Sequence, residues 1–230
     1  YEFFRTYFAG NEGATEELVK ILEELIDPNI VVDVLLDRFM KSEDEDKLYD
    51  LYDFFDDLGD PFLAGMLCER LRQLDPEELA YLNNLAECLR VQGKYDEAEP
   101  MYRECLKLMT AKLGKDHPST LVSIGNLAEY LTKREEFKEA GTLFEEFMRN
   151  GKAVYGIKHP MFLCFVCRYA EYLYKVGEVD EAVKTIKECV QRQKEVIGEK
   201  HPDTLQSLFV MGEAVYKVGR VLEAREIFED

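Results

Sequence analysis

Residues 113–118 read LGKDHP, residues 155–160 read YGIKHP and residues 197–202 read IGEKHP. His117, His159 and His201 therefore recur every 42 residues, each followed by a proline. The same period runs outward from these anchors. Leu82, Ile124, Val166 and Leu208 form one column, and Leu85, Leu127, Tyr169 and Met211 the next. Ala86, Ala128, Ala170 and Gly212 follow, then Leu89, Leu131, Leu173 and Val215. Tyr95, Phe137, Val179 and Val221 come after a break. Ala98, Ala140, Ala182 and Ala224 are then identical, and Tyr102, Phe144, Ile186 and Phe228 complete the set. Self-similarity at such a period is the mark of a repeat architecture.

Within a unit, apolar residues at i, i+3, i+4 and i+7 (82, 85, 86 and 89) make one helical stripe. A second stripe runs through 95, 98, 102 and 105. Gly93, Gly177 and Gly219 fall between the stripes, where the chain must reverse. Each unit thus reads as a helix, a tight turn and an antiparallel helix. The small columns mark where two backbones approach. Pro118, Pro160 and Pro202 open the next helix, at a position whose N–H has no intrahelical partner. A helix pair cannot bury both its faces alone, so the units must stack. The expected fold class is all-α, a right-handed α-solenoid of antiparallel helix pairs. Glu135 stands where a turn glycine is expected, which makes that turn less favourable by about 1 kcal/mol.

Three stretches carry a family likeness: Leu82-Asn83-Asn84-Leu85-Ala86, the run Gln92–Tyr102, and Leu113–Pro118. They resemble the tetratricopeptide repeat (TPR), and more narrowly its 42-residue form in kinesin light chains. The likeness covers 77–230, read as units at about 77–117, 118–159, 160–201 and 202–230, the last cut short. A shift of 34 residues places Leu48, Leu51, Tyr52, Phe55, Gly59, Ala64, Cys68, Leu71 and Pro76 in the same register, so 43–76 reads as a degenerate repeat. Residues 1–42 read as an N-terminal helical segment, a cap or a diverged repeat, with helices over Thr15–Ile26 and Ile30–Met40. The chain opens on Tyr1 rather than Met and stops at Asp230 inside a second helix, which suggests a piece of a longer protein.

Of the 230 residues, 47 are Asp or Glu and 29 Lys or Arg, a net charge of −18. That charge argues against nucleic acid and anionic membranes as partners. The longest apolar run, Met161–Cys167, is too short to span a bilayer, and no secretory signal is visible. The six cysteines lie mostly in apolar helical patterns, which reads as reduced thiols in a cytoplasmic or nuclear protein.

No constellation for chemistry emerges. The three histidines share one repeat position, a whole unit apart, and so cannot converge on one metal. Cys164-x-x-Cys167 has no second ligand pair at zinc spacing. Glu43-Asp44-Glu45-Asp46 lacks the glycine and glutamate of a calcium loop and reads as an acidic helix start. Catalytic residues, cofactor and metal are all expected to be none.

The charge is uneven. Residues 1–76 hold 20 acidic and 7 basic residues, a net of −13, against −5 for the rest. Asp46, Asp50, Asp53, Asp57 and Asp60 recur at helical spacing opposite Leu48, Leu51, Tyr52 and Phe55. The column of Asp53 continues as Glu87, Glu129, Glu171 and Glu213. Four residues on stand Lys133, Lys175 and Lys217, an i, i+4 order that supports a helix.

The TPR resemblance implies that these columns line a concave groove. The groove would hold Asp46, Tyr49, Asp50, Asp53, Asp57, Asn83, Asn84, Glu87, Asn126, Glu129, Lys133, Arg168, Glu171, Tyr174, Lys175, Glu213, Tyr216 and Lys217. Its function would be non-enzymatic capture of a peptide or helix, with a basic stretch at the acidic N-terminal end. Two alternatives stand beside it: a sensor or regulatory arm that docks on its own effector domain, with self-association possible, and a kinesin-light-chain-type cargo adaptor. A chaperone-type carboxylate clamp does not fit, because Glu or Asp occupies the column of its key Asn.

Overall fold

The computed structural model describes residues 40–229. The segment 1–39, with the expected helix Thr15–Ile26 and all but the last residue of Ile30–Met40, lies outside the described residues. Those described form ten helices and no strand. They are α1 Glu45–Asp57, α2 Pro61–Leu74, α3 Leu79–Val91, α4 Tyr95–Leu113, α5 Pro118–Lys133, α6 Phe137–Tyr155, α7 Pro160–Val176, α8 Val179–Val196, α9 Pro202–Lys217 and α10 Val221–Glu229. The chain divides into two compact units, one ending at Lys94 and one beginning at Tyr95. The two helices expected to pair over 77–117, α3 and α4, thus fall in different units.

In the first unit α1 packs on α2, and α2 on α3. In the second unit α5 packs with α6, α7 with α8 and α9 with α10, and each pair packs on the next. The first helices α5, α7 and α9 also meet directly, α5 with α7 and α7 with α9. One core runs through the second unit, from Leu121 and Ile124 past Phe147, Phe165, Ala170 and Ile186 to Val215 and Ala224. The invariant alanines are sealed inside, Ala98 and Ala140 at 0%, Ala182 at 1% and Ala224 at 2% exposure. Close helix approach at this column leaves room for a methyl group and little more.

The helix starts are built alike. His117, His159 and His201 are N-caps with proline next in sequence. Each Nδ1 accepts from a backbone N–H, of Ser119, Met161 and Asp203, at 3.2 Å. An imidazole nitrogen here does what a Ser or Asp oxygen usually does, satisfying a donor the helix leaves open.

The turns inside the pairs are also alike. At Gly177 the N–H donates to the Tyr174 carbonyl (3.2 Å), and the next N–H, of Glu178, reaches back to Leu173 (2.9 Å). This is the Schellman closure, which needs a residue in the left-handed region. Gly177 has φ +94°; Glu135, making the same pair of bonds at its own turn, has φ +63°. Among the described residues Glu135 is the one non-glycine with positive φ.

Candidate functional site

The first unit carries an acidic flank. Along α1, Leu48, Leu51, Tyr52, Phe54 and Phe55 are buried. This apolar face is wider than the sequence stripe, because Phe54 is also fully enclosed, edge-on to Phe55 with ring centroids 5.1 Å apart. Asp46, Asp50, Asp56 and Asp57 are exposed and Asp53 is half-buried. None of these five carboxylates has an ion-pair partner among the described residues. Burial pushes the Asp53 carboxyl above its ordinary value, and Asp57, Asp56 and Asp50 push it further. Asp56, exposed as a residue, is raised by partial burial of its carboxyl, then by Asp57 and Glu87.

Asp60 does not belong to this flank. The turn at Gly59 ends α1 at Asp57, and the Asp60 carboxylate instead caps α2, accepting from the N–H groups of Phe62 and Leu63 at 3.1 Å each. Glu87 on α3 is met by Arg90 at 2.9 Å. Tyr49 is part-exposed, its ring 5.7 Å from Tyr52 and 6.3 Å from Tyr81. Asn84 is half-buried, whereas Asn83 is 7% exposed and its Oδ1 has no hydrogen-bond partner.

In the second unit the columns interlock across repeats. Arg168 on α7 ion-pairs with Glu129 on α5, and its Nη1 donates to Asn126 Oδ1 at 3.1 Å. Lys133 donates to Glu171 of the next repeat at 2.7 Å. The expected i, i+4 Glu–Lys row therefore exists at one place, Glu171–Lys175, at 3.6 Å. Glu129 is taken by Arg168, so Lys133 turns forward instead. Lys217 lies 4.5 Å from the centre of the Tyr174 ring, one repeat back. Glu213 is exposed without an ion-pair partner among the described residues, and Tyr216 is exposed beside it in sequence.

Between α5, α7, α8 and α9 a cavity of about 230 Å³ opens. Glu129 and Lys133 line it from α5, Cys164, Cys167, Arg168 and Glu171 from α7, Gln193 from α8, and Asp203, Gln206 and Ser207 from α9. Gln193 is 1% exposed and its Oε1 has no hydrogen-bond partner. Both Cys164 and Cys167 are free thiols. Burial raises the Cys164 thiol and takes Cys167 to about 11, so neither is a ready nucleophile. Among the described residues no group of His, Cys, Asp and Glu could hold a metal, and no helix is long and apolar enough to cross a membrane.

The sequence singled out four of the residues lining this cavity as groove residues, Glu129, Lys133, Arg168 and Glu171, and its cysteines read as reduced thiols on an apolar helix without a zinc partner pair. Gln193, Asp203, Gln206 and Ser207 went unseen. The signal was present in the columns: Ser207 stands where Phe165 stands one repeat earlier, and Gln193 where Gly151 stands.

No curated protein sequence matches this chain. A Podosopora anserina protein of nearly identical kinesin light chain TPR-like repeats is similar in structure, with TM-score 0.62 and 24% identity over 80% of this chain and 90% of that one. BtubC (BKLC) from P. vanneervenii aligns with TM-score 0.65 and 17% identity over 98% of this chain and 91% of that one. A Rap protein, solved with Competence and Sporulation Factor, gives TM-score 0.69 and 14% identity over all of this chain and 72% of that one. At these identities the likeness is one of fold. The tetratricopeptide-repeat profile matches residues 77–160 and 163–230, well over half of the sequence. The chain belongs to the tetratricopeptide-repeat family.

Proposed function

We propose that this protein is a non-enzymatic interaction scaffold. It captures a peptide or helix of a partner, with a basic stretch of that partner on the α1 flank. The observation that carries this reading is the set of five aspartates, 46, 50, 53, 56 and 57, with no cation opposite them among the described residues. Like charges on one helix face cost stability, and the Asp53 and Asp56 carboxyls, raised first by burial, are raised further by their acidic neighbours. A Lys/Arg-rich segment would relieve it. In the first unit Asn84 and Tyr49 would supply directional and apolar contacts besides the charged ones. The Rap relative, solved with Competence and Sporulation Factor, is a precedent for a bound partner on this fold.

The test is calorimetric titration with a basic and an acidic peptide of equal length at two salt concentrations. The basic peptide is expected to bind, and more weakly at high salt, because exposed charges are screened beyond roughly 10 Å at 0.1 M ionic strength. Equal affinity for both peptides, or no dependence on salt, overturns the reading.

A further inference from the structure

The cavity between α5, α7, α8 and α9 lies where three residues differ from their counterparts one unit earlier. One unit earlier, the ring of Phe165 fills the corresponding place. It lies against the backbone of Gly125 and 4.6 Å from the Phe147 ring. Gly151 stands at the side, 3.2 Å from that same Phe147 ring when given a Cβ. Move 42 residues on, and the aromatic plug becomes Ser207, the glycine below it Cys167 and the side glycine Gln193. The plug is gone, and a buried amide looks onto the space it left. About 230 Å³ is several times the room one water takes.

The groups around this space differ in how well they are satisfied. Both wall cations are matched, Arg168 by Glu129 and Lys133 by Glu171, which Lys175 also approaches at 3.6 Å. The unmatched groups are the half-exposed Asp203 carboxylate, the buried Gln193 oxygen and the Ser207 hydroxyl. Asp203 has only His201 within reach, at 3.9 Å, and the Gln193 Oε1 accepts from nothing. A buried acceptor without a donor costs free energy that a ligand donor recovers.

We propose that this cavity is a socket for one cationic side chain, a lysine or arginine, of the bound segment, with Asp203 and the Gln193 amide as its acceptors. The proposal deepens the groove-binding reading and rests on it. It adds a specific anchor in the second unit to the diffuse acidic flank of the first. An acidic side chain would meet Asp203, Glu129 and Glu171 with no free cation to receive it. An apolar side chain would leave the Gln193 oxygen unpaired.

The experiment uses the 230-residue chain, ¹⁵N-labelled, and four capped pentapeptides, acetyl-Gly-Ala-X-Ala-Gly-amide, with X lysine, arginine, norleucine or glutamate. The Gln193 side-chain amide and the Asp203 backbone amide report on the socket. The Asp53 and Asp56 backbone amides report separately on the α1 flank. The lysine or arginine peptide is expected to shift Gln193 saturably, about tenfold more tightly than norleucine, the usual worth of a charged hydrogen bond. Asp203→Asn is expected to weaken that binding by about tenfold on the same basis.

Two variants close the socket in different ways. Cys167→Gly with Ser207→Phe rebuilds the Gly125–Phe165 arrangement and should abolish the Gln193 response. Gln193→Met places there the residue type of Met109, at the same column two units earlier, and should lower affinity for the lysine peptide at the Asp203 amide. It also serves if the double variant does not fold by circular dichroism. Equal response to norleucine or glutamate, no response to any peptide at Gln193, or undiminished binding in the folded variants overturns the socket. If Asp53 and Asp56 still respond to the cationic peptides, the groove-binding reading survives that failure; if they do not, both fall.

Discussion

The ring of Phe165 occupies the space that a side chain on Gly125 would take, and a Cβ added there would collide with the ring edge. The ring cannot retreat, because Phe147 backs it at 4.6 Å. Gly125→Ala should therefore destabilise the second unit by about 1–3 kcal/mol, the usual cost of overpacking. Helix propensity favours alanine by about 1 kcal/mol, but three Phe165 ring atoms under 3.0 Å from the added Cβ put the overpacking at the upper end, so a net loss remains. A urea titration with an unchanged midpoint would show that α5 and α7 are not this close.

Glu135 should be improved by glycine. An L-residue in the left-handed region costs roughly 1–2 kcal/mol, while glycine's extra backbone freedom costs about 0.5–1 kcal/mol. Glu135→Gly is thus expected to gain about 0.5–1 kcal/mol, because φ +63° is native to glycine. Thermal unfolding checks the sign, and a loss of stability would mean that the Glu135 side chain contributes contacts the turn depends on.

The alanine column tolerates no enlargement. Ala140 and Ala182 are 0% and 1% exposed, at the close approach of paired helices. Ala140→Leu and Ala182→Leu should each cost about 1–3 kcal/mol, with off-rotamer packing or helix displacement as the response. Denaturant midpoints unchanged at both positions would break the register on which the repeat reading stands.

Stability of the α1 flank should depend on pH in a defined direction. The carboxyls of Asp53 and Asp56 titrate above their ordinary values in the folded chain. Between the unfolded and folded values the native state holds more protons than the unfolded one, so these groups lose stability as pH rises through that window. Conversely, Asp53→Asn and Asp56→Asn should stabilise the chain at pH 7 by a few tenths of a kcal/mol each, the scale of like-charge pairs on a helix. The gain should vanish in acid, where the wild-type carboxyls are already protonated. Urea midpoints at pH 7 and pH 3.5 separate the two, and a gain that persists in acid would place its origin in packing rather than charge.

The site was legible only in part. Asp46, Asp50, Asp53 and Asp57 could be placed on one flank because helical spacing is a property of the chain alone. Asp60 could not, since a single glycine in the left-handed region ends α1 and converts the next carboxylate into the cap of α2. Glu129 and Lys133 looked like a local pair, yet each finds a better partner on α7. Asn83 looked like a groove residue and is buried instead.

Repeat period, the three helix pairs of the second unit, turn positions and the small-residue columns were written into the order of residues, because each depends on interactions within a few turns of chain and recurs every 42 positions. Which carboxylate meets which cation, and where an aromatic plug is missing, was decided only when α5, α7, α8 and α9 came side by side. Those outcomes depend on distances between residues far apart in sequence, and a column of letters carries no distance between columns.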